Sequence, residues 1–164
     1  MTDITEIEEE YQNMGSLNHS IVQAQITGML VSDARFTIMI ELSLDISQVD
    51  LTQFGLKTKE ELKPDICLYP KSIWLQRRDV LKMTDMPLLA IEVISPKQGI
   101  DDILAKFDAY FALGIKSCWL ITPALKAITV YSQPDHFNTY DMNDTEIVDD
   151  IVDIRLPINK VFRR

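Results

Sequence analysis

The chain has 164 residues, 46% hydrophobic and 25% charged, with a formal net charge of -9. Those proportions describe a globular chain long enough to bury a core and exclude an intrinsically disordered one. The acidic balance argues against a broad electrostatic clamp for nucleic acid unless bases cluster locally.

They cluster once. "PKSIWLQRRDVLK" carries Lys71, Arg77, Arg78 and Lys82 against one acid, whereas residues 1–10 hold five acids and no base. The stretch "MNDTEIVDD" is again acid-rich. Cys67 and Cys118 sit among apolar neighbours and read as reduced core thiols. The opening residues lack a signal-peptide pattern, and no apolar run approaches the ~20 residues of a membrane-spanning helix. A cytoplasmic protein without membrane association is expected.

In chain order, an acidic segment over 1–14 precedes one expected domain over 15–164. "SLNHSIVQAQITGML" has Leu17, Ile21, Val22, Ile26 and Leu30 near helical spacing, with Ser16 or Asn18 as the cap. "FTIMIELSLDIS" is β-branched and apolar and predicts a strand. "KPDICLYP" predicts another, entered at Pro64 and ended at Pro70. "SIWLQRRDVLKM" reads as a loop or short helix, and "PLLAIEVIS" as a strand buried on both faces. After the turn "SPKQG", "IDDILAKFDAYFALG" places Ile100, Ile103, Leu104, Phe107 and Phe111 on a helical stripe. Asp101 and Asp102 lie in its first turn and Gly114 just past its end. "SCWLITP" predicts a strand parallel to the one before the helix, because a strand, helix, strand succession makes a crossover. "AITVYSQ" and "HFNTYDM" predict further antiparallel strands, and "VDIRLPINKVF" a terminal packing segment. The expected fold class is α/β with a mixed central β-sheet flanked by helices.

Chemistry is restricted by what is missing. Five glycines form no phosphate-binding loop, and His19 and His136 lack metal-ligand spacing. Two acids in predicted strands remain. Glu92 interrupts the apolar run "LLAIEVIS", where an uncompensated carboxylate would cost several kcal/mol; it must be protonated, paired or metal-bound. Asp65 opens the preceding strand. If those strands are neighbours, both carboxylates converge on a hard cation such as Mg²⁺. Lys106, on the following helix, flanks the Tyr110 edge of the apolar stripe and can extend its ammonium toward the strand ends. Each residue also has a plainer reading: Asp65 as a turn acid, Glu92 as half of a structural ion pair, and Lys106 as the i+4 partner of Asp102.

"KPDICLYP", "PLLAIEVISPKQGIDDILAKFDAYFALGIKSCWLITP" and "LPINKVF" together resemble the Uma2 family, also called the domain-of-unknown-function 820 family, over roughly residues 15–164. The family is common in cyanobacteria and is classed with endonucleases of the PD-(D/E)XK superfamily. The resemblance implies a restriction-endonuclease-like fold and cleavage of DNA dependent on Mg²⁺ or Mn²⁺. It implies Asp65 and Glu92 as metal ligands, the Val93 carbonyl as a third, and Lys106 as the catalytic cation. The superfamily's usual lysine two places after the second acid is replaced by Ile94, and Lys106 matches the family's alternative position on the helix. Lys71, Arg77, Arg78, Lys97 and Lys116 are candidates for DNA contact. His19 reads as a helix-surface histidine, with a place near the site as the alternative, Ser95 as a brace for the turn after Glu92, and Tyr110 as core. An open sheet edge and the need to cut two strands point to a homodimer. The competing expectation is a catalytically inactive member that keeps the fold as a binding or oligomerisation module.

Overall fold

Residues 15–57 and 61–163 are described by a computed structural model; the acidic segment 1–14 lies outside the described residues. The uncharged run Leu17–Val31 forms helix α1, whose N-cap Ser16 accepts from the backbone N–H of His19 at 3.2 Å. Of the expected stripe, Val22, Ile26 and Leu30 are buried, but Leu17 and Ile21 are exposed. With no charged residue to mark the wet side, two apolar stripes share this helix, and packing against the sheet selects one of them.

Strand β1, Phe36–Ile40, is shorter than the run "FTIMIELSLDIS" predicts. It stops at Glu41, whose φ of 53° turns the chain away from the sheet. The following segment, which includes a single 3₁₀ turn at Leu51–Phe54, lies over the sheet with Leu44, Leu51, Leu56 and Leu62 buried. Strands β2 (Ile66–Pro70) and β3 (Leu89–Val93) come next, joined by an irregular exposed connection. Helix α2, Ile100–Ala112, leads into β4, Ser117–Thr122. Gly114, at φ 99°, makes the left-handed turn between them. Strands β5 (Ala127–Gln133) and β6 (His136–Tyr140) complete a six-stranded sheet in the order β1-β2-β3-β4-β5-β6. Only β3 and β4 pair in parallel, across the α2 crossover, so the sheet is mixed as expected.

The terminal segment does more than the sequence predicts. Strands β7 (Glu146–Asp149) and β8 (Ile154–Pro157) form a separate antiparallel ribbon, followed by the short helix α3, Ile158–Val161. Strand alternation sorts the core into two layers. Ile66, Leu68, Ile91, Val93, Trp119 and Ile121 face α1 and the ribbon; Ala90, Cys118, Leu120 and Tyr131 face α2 and the Leu44–Leu62 cover. Every residue of β3 is buried, which is why its sequence is continuously apolar except at Glu92. Cys67 and Cys118 are free, buried thiols. No helix among the described residues is long and apolar enough to cross a membrane.

Candidate active site

The register of the β2–β3 pair decides the geometry. Ile66 lies opposite Ile91, so the next step along each strand brings Asp65 opposite Glu92, on the face that carries α2. Asp65 stands just before the strand, with a side chain 15% exposed. Its Oδ2 accepts the Val93 backbone N–H at 2.7 Å, which stitches the entrance of β2 to the end of β3. Glu92 is 3% exposed.

Among the described residues Glu92 forms no direct ion pair with lysine or arginine. Its Oε1 accepts the Tyr110 hydroxyl at 2.6 Å. Burial, reinforced by the neighbouring Asp65 carboxylate, pushes the Glu92 pKa from an ordinary 4.5 to about 8, against the opposing pull of the Lys106 charge and the Tyr110 hydrogen bond. Burial and the second carboxylate thus both favour the neutral form of Glu92. Tyr110 joins the site from the core, where sequence reasoning left it. The available signal was a hydroxyl on a stripe otherwise built of Ile103 and Phe107, since a buried phenol needs a partner.

Lys106 lies one helical turn before Tyr110 and is half-buried. Its influence on Glu92 places it beside the acids, and among the described residues it forms no direct ion pair, with Asp102 or otherwise. The site has one member that the helix-surface reading understated. His19 Nε2 lies 3.1 Å from Asp65 Oδ2, and its side chain is only 13% exposed. The hydrogen bond to Asp65 raises the imidazole pKa, with burial opposing and the charges of Asp65 and Glu41 adding to the rise. Ser95 braces the turn after β3 through its backbone, its N–H donating to Gln98 Oε1 at 3.3 Å and its carbonyl accepting the Gln98 N–H at 3.0 Å.

The basic residues do not gather around the acids. Lys71, Arg77 and Arg78 are exposed on the connection leaving the far end of β2, about 17 Å along the strand from Asp65. Lys97, also exposed, follows β3 at the Glu92 end, and Lys116 precedes β4 at the opposite end. Among the described residues no three His, Cys, Asp or Glu side chains converge as a metal cluster. The donor set nevertheless suits a hard divalent cation. Two carboxylates share one sheet end, and the ionisation of one is suppressed by burial and by the other; a cation relieves both penalties.

A mixed six-stranded sheet flanked by helices, with an acid pair at the β2–β3 end, defines an α/β protein of restriction-endonuclease-like architecture. A crystal structure of a "putative nuclease belonging to DUF820" from Anabaena variabilis shares this fold, with a TM-score of 0.73 at 19% identity over 92% of this chain and 83% of that one. The profile of the Uma2 family, described as "Putative restriction endonuclease", matches residues 9–159, and the chain belongs to that family. A search of curated proteins finds no match.

Proposed function

We propose that this protein is a metal-dependent endonuclease that hydrolyses DNA phosphodiester bonds. The observation that supports it most directly is the apposition of Asp65 and Glu92 at one sheet end, where burial and the Asp65 carboxylate raise the Glu92 pKa. Asp65 and Glu92, joined by the Val93 carbonyl, are the residues that would hold Mg²⁺ or Mn²⁺. When bound, such an ion supplies Lewis acidity toward a phosphate and lowers the pKa of a water. To serve as a ligand Glu92 would have to be ionised, and Tyr110, whose hydroxyl donates to Oε1 at 2.6 Å, orients that carboxyl group. Lys106 stabilises negative charge developing on the phosphate or orients the attacking water. In the same reading, residues 15–164 act as one domain in the cytosol, and two copies cut the two strands.

The test is a calorimetric titration of Mn²⁺ into wild type and Glu92→Gln, paired with cleavage of plasmid DNA. Wild type is expected to bind and cleave, and Glu92→Gln to do neither. Asp65→Ala and Lys106→Ala should also lose cleavage. Undiminished cleavage in either acid variant would exclude the assigned roles. The rival reading, an inactive binding or oligomerisation module, draws on the mutual satisfaction of the site: among the described residues no buried side-chain polar atom lacks a partner. It requires that wild type neither bind metal nor cleave.

A further inference from the structure

Asp65 is held more firmly than a strand-entrance acid needs to be. Its backbone carbonyl accepts the Gln23 side-chain amide at 2.9 Å and the Glu41 N–H at 3.3 Å. The Glu41 N–H is shared with the Pro64 carbonyl, at 3.1 Å, where the β1–β2 ladder ends. Its carboxylate is gripped separately. Oδ2 meets both the Val93 N–H and His19 Nε2, and the carboxylate also meets the Glu92 carboxyl group, whereas among the described residues no N–H reaches Oδ1.

His19 and Gln23 are one helical turn apart on α1, in line with the buried Val22, Ile26 and Leu30. The stripe that packs α1 on one face of the sheet thus continues past the sheet's end as two polar side chains. Those side chains reach Asp65, His19 at its carboxylate and Gln23 at its carbonyl. Asp65 is thereby located through its backbone and its carboxylate at once. For a residue whose only task is to open a strand, this is redundant; for a carboxylate that must present one oxygen in a fixed direction, it is what preorganisation requires.

We infer that His19 is a positioning residue of the site, fixing the Asp65 carboxylate through Oδ2 so that Oδ1 remains available to a divalent cation, with Gln23 fixing the backbone beneath it. The inference rests on the reading of Asp65 as a metal ligand given above. His19 acts through Asp65 and has no assigned contact with substrate. Ligating carboxylates that lose such a supporting hydrogen bond typically lose about 10–100-fold in metal affinity.

The experiment compares His19→Met with His19→Gln. Methionine fills the half-buried position without a donor, whereas the glutamine amide reaches about as far as the imidazole Nε2 and still donates. Both are good helix formers, so α1 is retained. Mn²⁺ alone is titrated by calorimetry into wild type, both variants and Gln23→Ala, with metal-free melting temperatures recorded in parallel. The expected result is at least tenfold weaker binding by His19→Met, with affinity largely restored in His19→Gln and a smaller loss in Gln23→Ala. A purely structural role would instead lower the melting temperature and leave the affinity of the folded protein unchanged. Binding by His19→Met equal to or tighter than wild type would overturn the inference while leaving the metal reading intact. Absence of binding by well-folded wild type would overturn both.

Discussion

Replacing Glu92 by glutamine tests the electrostatics of the site without any substrate. The amide keeps the size of the side chain and an oxygen for the Tyr110 hydroxyl, but removes the titration. In the native protein the Glu92 pKa is pushed from 4.5 to about 8 by burial and by Asp65. Below the lower value both the folded and unfolded chains carry the proton, and the group does not distinguish them. Between the two values the folded chain holds a proton that the unfolded chain releases. Wild-type stability attributable to Glu92 is therefore greatest in acid and is lost as pH rises toward 8. At ~1.4 kcal/mol per pH unit, the loss between pH 5 and pH 8 is about 3 kcal/mol. That is a large share of the 5–15 kcal/mol typical of a domain. Glu92→Gln escapes the loss. Urea unfolding of both proteins at pH 5, 6, 7 and 8 should show the variant gaining on wild type by roughly 3 kcal/mol across the series. Taking the difference cancels titrating groups common to both, including His19, whose raised pKa contributes in the same direction. Parallel stability profiles would refute the reasoning, because they would mean that Glu92 ionises in the fold as readily as in the open chain.

Three other substitutions test neighbouring parts of the structure by urea unfolding. Tyr110→Phe removes the 2.6 Å donor to Glu92 Oε1 and should cost about 1–3 kcal/mol; a neutral result would mean that water replaces the phenol. Asp149 is 1% exposed and accepts from Ser117 Oγ, Trp119 Nε1 and the Ile151 and Val152 N–H groups, so Asp149→Asn, which turns an NH₂ toward some of those donors, should cost about 1–3 kcal/mol and shift Trp119 fluorescence. Gly114→Ala meets no steric obstacle beyond its own backbone, yet at φ 99° it should destabilise by about 1 kcal/mol, and no change would mean that the α2–β4 turn can relax.

Much of the fold is written in local pattern. The β-branched runs that become β2 to β5, the stripe of α2 and the glycine after it are legible because period and turn chemistry act over a few residues. The same locality explains the misreadings. β1 ends at Glu41 through a backbone turn that no residue type announces, and the choice between the two stripes of α1 rests on the sheet it meets. The β7–β8 ribbon escapes notice because each strand is only four residues long and packs against elements far away in sequence.

The site divides along the same line. A lone carboxylate inside the apolar run of β3 demands compensation whatever surrounds it, so the sequence by itself determined that Glu92 is special and that Asp65 and Lys106 are its plausible company. Which compensation operates was decided by tertiary structure alone. The strand register set Asp65 against Glu92, the crossover laid Tyr110 and Lys106 over them, and the end of α1 delivered His19 to Asp65. These contacts join different elements of the chain, and their energies exist only once strands have paired and helices have docked. Chain periodicity specifies which face of an element is apolar; it carries no record of which polar groups meet where the elements end.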